Sequence, residues 1–84
     1  MEITYDPAKD DANVAKHGVS LGRAVELEVL AVSADHRFAG EQRYRLYGLL
    51  DGKPHCLAVV IRDGVVCAIS FRRAHRKEYV RHVR

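Results

Sequence analysis

Cysteine is scarce in this sequence, and so are long apolar runs. The two cysteines, Cys56 and Cys67, lie in apolar stretches, with no C-x-x-C pair and no histidine at the spacing of a zinc site. We therefore expect both to be small apolar side chains inside the fold, which argues against a disulfide, a metal site or a redox pair.

The chain also lacks the features of a membrane or secreted protein. No apolar stretch reaches the roughly 20 residues needed to span a bilayer, and the opening MEITYDPAKDD lacks the basic start and apolar run of a signal peptide. There is no low-complexity tract, internal repeat or Pro/Ser-rich linker. We expect a cytoplasmic protein in which residues 1–84 form a single small domain with a thin core.

Positive charge is distributed unevenly along the chain. The net charge is +3, but residues 1–41 carry four Lys or Arg against eight Asp or Glu, whereas residues 42–84 carry ten against three. The C-terminal half therefore favours a polyanionic partner such as a nucleic acid. Two other interpretations stay open: the basic residues could simply solvate the fold, or an acidic protein segment could neutralise them.

The first thirty residues carry the start and stop signals of two helices. After a short strand at residues 2–5, Asp6 is placed to cap a helix that begins at Pro7 and ends at Gly18, which favours the left-handed closing conformation. Ser20 is a second cap and predicts a second helix after a tight turn. Spacing at i, i+4 and i+7 predicts that the inner face of the first helix consists of Ala8, Ala12 and Ala15.

The remainder alternates between apolar runs and turns. Two Asp-Gly pairs, at residues 51–52 and 63–64, are strong signals of two-residue hairpin turns. We expect an α+β fold in which an antiparallel meander of three to four strands follows the two helices and precedes a C-terminal helix. The predicted strands are residues 31–40, 42–50, 55–61 and 65–71, and the closing helix is residues 74–83.

The turns also predict which residues share a face of the sheet. If each loop has two residues, two residues face each other across the first hairpin when their residue numbers add to 103. Across the second hairpin, the numbers of facing residues add to 127. One face is then apolar and is expected to lie under the helices: Tyr44, Leu46, Leu57, Val59, Ile61, Val66 and Ala68. The other is expected to be a shallow basic depression floored by small residues: Arg43, Arg45, Tyr47, Cys56, Ala58, Val60, Cys67, Ile69, Phe71 and Arg73. In this register Arg72 points to the apolar face.

Four motifs, in this order, resemble the BrnT family of bacterial toxins. YDPAK resembles the family's aromatic-Asp-Pro-x-Lys opening, NVAKHGVS its Asn-x-x-Lys-His-Gly-Val-Ser stretch, GEQR its Gly-Glu-x-Arg segment, and ISFRRA its Ile-Ser-x-Arg-Arg-Ala segment. The matching residues are Tyr5, Asp6, Pro7 and Lys9; Asn13, Lys16, His17, Gly18, Val19 and Ser20; Gly40, Glu41, Arg43 and then Gly48; and Ile69, Ser70, Arg72, Arg73 and Ala74. The resemblance covers nearly the whole chain. One departure is Phe71, where many relatives carry a small residue, and its ring is expected to narrow the basic depression or to offer a stacking face.

This resemblance implies a RelE-like fold and an mRNA interferase-like endoribonuclease that blocks translation. It also implies neutralisation by a BrnA-type antitoxin with a ribbon-helix-helix DNA-binding part, with which the toxin forms a hetero-oligomer that binds operator DNA. A non-catalytic basic module that docks an antitoxin or nucleic acid is the alternative.

Metal-free RNA cleavage needs a base for the 2′-hydroxyl, cations for the charge that grows on the phosphorane, and an acid for the leaving 5′-oxygen. No carboxylate cluster on one strand or helix suggests Mg²⁺, so we expect no metal and no cofactor. Arginine suits the second role because its fork of donors matches two phosphate oxygens. The catalytic candidates are Arg73, Arg76, Arg43, Glu41 and His17. The candidates for binding RNA are Arg45, Arg72, Lys77, Lys16 and Tyr47.

The general acid and base stay open at this point. His17, His75, Lys16, Glu41 and Glu78 are all chemically suitable, and the sequence does not choose among them. His17 also has a purely structural explanation, since a cation in the last turn of a helix offsets the helix dipole. Tyr79 is a further candidate for stacking or hydrogen bonding.

Overall fold

Residues 2–83 are described by a computed structural model. Within them, five strands form one sheet: β1 (Ile3–Thr4), β2 (Glu28–Asp35), β3 (Gln42–Leu50), β4 (Lys53–Arg62) and β5 (Val65–Arg73). Two α-helices, α1 (Pro7–His17) and α2 (Arg76–His82), and a 3₁₀ helix (Leu21–Glu26) complete the described part. The strand order is β1-β5-β4-β3-β2.

The four-stranded meander is confirmed, but the sheet is mixed. β2 to β5 pair with their chain neighbours in antiparallel fashion, whereas β1 pairs with β5 in parallel. The first strand is far from β5 in sequence, so no turn signal announces this pairing. The predicted α+β class holds, but the predicted antiparallel meander is only part of the sheet, because the short first strand adds a parallel edge.

The Asp-Gly turns have the predicted backbone. Asp51 and Asp63 have φ of 52° and 51°, and the glycines that follow them have φ of 72° and 76°. Two successive positive φ angles match the right-handed twist of the flanking strands. In the first hairpin the predicted register holds throughout, so that Tyr47 is opposite Cys56.

The second hairpin contains a β-bulge that the sequence did not reveal. The predicted register holds from Val65 to Ala68 and then shifts by one, so that Leu57 is opposite Phe71 and Cys56 is opposite Arg72. Because side chains alternate along a strand, one extra residue exchanges the two faces. Phe71 is therefore fully buried on the apolar face, which we call the core face. Arg72 lies on the opposite face, here called the outer face, and the predictions for Phe71, Arg72 and Arg73 were wrong in this respect.

The core face packs against the 3₁₀ helix. The predicted second helix is thus a 3₁₀ helix, which Ser20 begins by accepting a hydrogen bond from the Gly22 N–H at 3.0 Å. The buried core consists of Leu21, Ala24, Leu27, Leu46, Leu50, Leu57, Val59, Ala68 and Phe71.

Helix α1 is anchored by polar side chains and not by the predicted alanines. Ala8, Ala12 and Ala15 are exposed, whereas Asn13 is buried. The Asn13 Nδ2 donates to the Phe71 carbonyl at 2.8 Å, and its Oδ1 accepts from the Phe71 N–H at 3.0 Å. Beyond the short β1, the edge of β5 has backbone groups that need partners, and Asn13 supplies both a donor and an acceptor.

Helix α2 covers part of the outer face. The Tyr47 ring is fully buried and stacks on His82 with centroids 4.5 Å apart, and its hydroxyl donates to Glu78 Oε2 at 3.3 Å. Val80 in the same helix is exposed. Neither described helix is long and apolar enough to cross a membrane.

β2 and β3 approach each other unusually closely at Gly48. A Cβ at this position would lie 1.9 Å from the Glu28 carbonyl oxygen. A register shift in β2 between Val29 and Ala31 accompanies the close approach. A side chain at position 48 is thus excluded by the neighbouring backbone.

Candidate functional site

A cavity of about 540 Å³ lies on the outer face, between α1, the sheet and the loop at residues 36–41. Its lining includes small side chains from the two central strands, among them Cys56, Ala58 and Ser70. The basic residues that line it come from four parts of the fold: Lys9, Lys16 and His17 from α1, Arg37 from the loop, Arg43 and Arg45 from β3, and Arg72 from β5. The predicted basic depression is therefore present, with Arg72 in it and Arg73 outside it.

The α1 wall carries the cations with the greatest freedom to bind an anion. Among residues 2–83, no carboxylate oxygen lies within 4.0 Å of the Lys9 or Lys16 ammonium group. An incoming phosphate therefore does not compete with an existing ion pair at these two positions.

The loop and β3 hold their arginines with acidic neighbours. Glu41 Oε2 accepts from Arg43 Nε. Asp35 accepts two bonds from the Arg37 guanidinium at 2.8 and 2.9 Å and lies 3.8 Å from Arg45. These contacts lower the pKa of the Glu41 and Asp35 carboxyl groups, mainly through the hydrogen bonds from Arg43 and Arg37 respectively. Both carboxylates remain charged near neutral pH, and they restrict the guanidinium groups to defined positions.

Arg72 connects the cavity to helix α2. Its guanidinium donates to both carboxylate oxygens of Glu78, which also accepts from the His75 N–H at 2.9 Å. The hydrogen bond from Arg72 is the main reason why the pKa of Glu78 falls to about 2. Glu78 is thus a structural anchor for Arg72 and for the first turn of α2, and a poor general base.

His17 is the titratable group in the cavity that is suited to accept a proton. Partial burial lowers its pKa below 6.5, and the nearby charges of Lys16 and Arg72 lower it further. The imidazole is therefore neutral near pH 7, because each of these effects disfavours the imidazolium. The cations that lower the pKa also line the same cavity.

Several predicted residues do not meet at this cavity. Arg73 is exposed at the end of β5, opposite His55 on the core face, and Arg76 and Lys77 are exposed in the first turn of α2. Tyr47 lies beneath His82 with no accessible surface, so it offers none for the predicted contact with RNA. His75 precedes α2 and is exposed, and Tyr79 is half-buried within that helix; neither lines the cavity.

Lys9, Arg37 and Phe38 are among the cavity residues that the sequence reasoning missed. Lys9 belongs to the opening motif that carries the family resemblance, and this was a usable signal. Arg37 and Phe38 lie in a loop that was predicted to be part of a strand. No periodicity in the sequence indicates that these two residues line the cavity. The Arg43 guanidinium carbon lies 3.8 Å from the centroid of the Phe38 ring, a contact that only the folded hairpin creates.

A family model and a solved structure are similar to this chain. Residues 5–78 match a family model described as "Ribonuclease toxin, BrnT, of type II toxin-antitoxin system". The structure is similar to the 1.1 Å crystal structure of the Brucella abortus ribonuclease toxin BrnT, with a TM-score of 0.68 and 24% sequence identity. That match covers 90% of this chain and 99% of the Brucella chain, and it shows a shared fold. No curated protein sequence matches significantly.

Proposed function

Because this chain belongs to the BrnT family of ribonuclease toxins of type II toxin-antitoxin systems, we propose that its outer-face cavity binds and cleaves RNA. The observation that carries the proposal is the placement of one neutral imidazole, His17, among several cations in a cavity of about 540 Å³. That volume lies in the usual range for ligand sites.

The proposed reaction is attack of the ribose 2′-oxygen on the adjacent phosphorus. His17 takes the proton of the 2′-hydroxyl, and the 2′-oxygen forms a bond to phosphorus while the bond to the 5′-oxygen breaks. The 5′-oxygen leaves with a proton, for which we propose Lys16 as the donor because it lines the cavity beside His17. The products are a 2′,3′-cyclic phosphate and a 5′-hydroxyl.

Arginines supply the charge that the phosphorane requires. We propose that Arg43, Arg45 and Arg72 bind its non-bridging oxygens, since all three line the cavity and each has a carboxylate within 4.0 Å that orients its guanidinium group. The catalytic role predicted for Arg73 passes to Arg72, because the bulge in β5 places Arg72 in the cavity. Arg76 and Lys77 are proposed as peripheral contacts to the RNA backbone, and Glu41 as the residue that positions Arg43.

The wider biological role is part of the same proposal. A type II system includes a protein antitoxin, and we propose that the partner of this chain is a BrnA-type antitoxin with a ribbon-helix-helix part. The two proteins form a hetero-oligomer that binds operator DNA. The free toxin acts on RNA in the cytoplasm and thereby inhibits translation. The α+β architecture with a mixed sheet is compatible with the RelE-like classification that the resemblance implies.

The test is incubation of the purified protein with RNA, with and without EDTA, followed by mapping of the product ends. We expect cyclic-phosphate ends in both buffers, and loss of cleavage in His17→Gln by about 10²- to 10⁴-fold, the contribution typical of a general base. His36→Gln is the matched control, because His36 is an exposed histidine that does not line the cavity. RNA that is bound in a salt-dependent manner but stays intact would instead support the non-catalytic binding module.

A further inference from the structure

Phe38 is a partly exposed aromatic residue at the edge of the outer-face cavity. It lies in the loop between β2 and β3, lines the cavity, and keeps 39% of its surface exposed. It does not belong to the hydrophobic core. Core packing therefore does not explain a phenyl ring at this position.

The ring is held in place by charged neighbours. The guanidinium carbon of Arg43 lies 3.8 Å from the ring centroid, and that of Arg37 lies 5.4 Å from it. Arg43 and Arg37 are in turn bound by Glu41 and Asp35. The ring consequently presents its remaining surface at the cavity without a large loss of conformational freedom on binding.

An exposed aromatic ring beside phosphate-binding cations is the combination by which proteins bind single-stranded nucleic acids. The ring stacks on a base while the cations bind the adjacent phosphates. In a duplex each base already stacks on its neighbours, so its face is not available to a side chain. Tyr47, the aromatic residue predicted from the sequence to contact RNA, is buried beneath His82.

We infer that Phe38 is the platform on which a base next to the scissile phosphate stacks, and that the substrate is single-stranded RNA. This inference rests on the proposed function, since it assigns a role within the same cavity. It explains why the loop at residues 36–41 holds an aromatic ring beside two arginines with part of its surface exposed.

The absence of tryptophan from the chain allows a direct test. Phe38→Trp introduces a single tryptophan whose fluorescence responds to a base stacked on it. The probe is a short single-stranded 2′-deoxy oligonucleotide, which lacks the attacking hydroxyl and is not cleaved. We expect strong quenching by the oligonucleotide and little by a version with an abasic position at the centre. Equal quenching by both probes at saturation, or none by either, would overturn the inference.

Affinity measurements separate stacking from support of Arg43. Phe38→Leu is expected to weaken binding of the base-containing oligonucleotide by about 5- to 150-fold, the range measured for base-aromatic stacking, and to leave binding of the abasic probe unchanged. Equal weakening of both probes would show that Phe38 merely supports Arg43. Tyr5→Leu is the matched control, because Tyr5 is exposed to a similar extent (41%) and does not line the cavity.

The outcomes also distinguish this inference from the proposed function. If Phe38→Leu loses affinity only for the base-containing probe while the wild type fails to cleave RNA, stacking is supported and catalysis is contradicted. If Phe38→Leu binds both probes as tightly as the wild type does, and the wild type cleaves RNA, the stacking inference is contradicted but the proposed function is not. The thermal unfolding midpoint of each variant verifies that it is folded.

Discussion

Replacing Asn13 with alanine removes three hydrogen bonds that attach α1 to the rest of the fold. The substitution leaves the Phe71 carbonyl, the Phe71 N–H and the Val19 carbonyl without their Asn13 partner. The two Phe71 groups are buried, and a buried backbone group without a partner costs about 1 to 3 kcal/mol. We therefore expect Asn13→Ala to lower the free energy of unfolding by about 2 to 6 kcal/mol.

That loss is large for this chain. A domain of 84 residues has a stability of about 4 to 13 kcal/mol at about 0.05 to 0.15 kcal/mol per residue. With a urea m-value of about 1 kcal/mol/M, the smallest expected loss already lowers the unfolding midpoint by about 2 M. Lys9, Lys16 and His17 are on the same helix, so a variant that remains folded but has a detached α1 is expected to lose RNA cleavage as well.

Urea unfolding followed by circular dichroism measures this effect, with Val14→Ala as the matched control. Val14 is the next residue of the same helix but is exposed, so its replacement is expected to change stability by less than about 0.5 kcal/mol. A midpoint for Asn13→Ala within about 0.5 M of the wild type would refute the reasoning, because it would mean that water satisfies the Phe71 groups equally well.

Two further predictions concern stability. Glu78 has a folded-state pKa of about 2 against an ordinary value of 4.5, so its contribution is present above pH 4.5 and is lost as the pH falls through 2. Glu78→Gln is therefore expected to be less stable than the wild type at pH 7 by thermal unfolding, and the difference is expected to shrink as the pH falls from 4.5 through 2. A pH-independent difference would contradict the ion pair with Arg72. Gly48→Ala is expected to destabilise the protein by at least about 2 kcal/mol in urea unfolding, because its Cβ would lie 1.9 Å from the Glu28 carbonyl oxygen. Its control is Gly52→Ala, which meets no atom within 4 Å and bears only the cost of a positive φ; equal losses in the two variants would contradict the close approach.

Local signals made much of the architecture predictable. The Asp-Gly turns, the Asp6 cap and the Gly18 ending act within a few residues, and each has the predicted geometry. The register of the first hairpin followed from its turn alone. The basic depression was then a direct consequence of alternation along the strands.

Features that depend on contacts distant in sequence were not predictable. The bulge near Ile69 and the pairing of β1 with β5 leave no turn residue or periodicity in the sequence. Asn13 interrupts the alanine pattern of α1, yet its role depends on the free edge of β5. The cavity therefore needed the structure before Arg72, Lys9 and Phe38 could be assigned to it.

The most direct test of the central claim compares two adjacent arginines. The bulge places Arg72 in the cavity, whereas Arg73 lies outside it on the other side of the sheet. The two substitutions are therefore adjacent in the sequence but affect opposite faces of the sheet. The measurement is the rate of RNA cleavage in EDTA by folded Arg72→Gln and Arg73→Gln. We predict that Arg72→Gln slows cleavage by about 10²- to 10³-fold, the typical effect of removing one donor to a developing negative charge, and that Arg73→Gln remains within a few-fold of the wild type. Loss of cleavage in Arg73→Gln with full activity in Arg72→Gln would contradict the placement of the active site in the outer-face cavity.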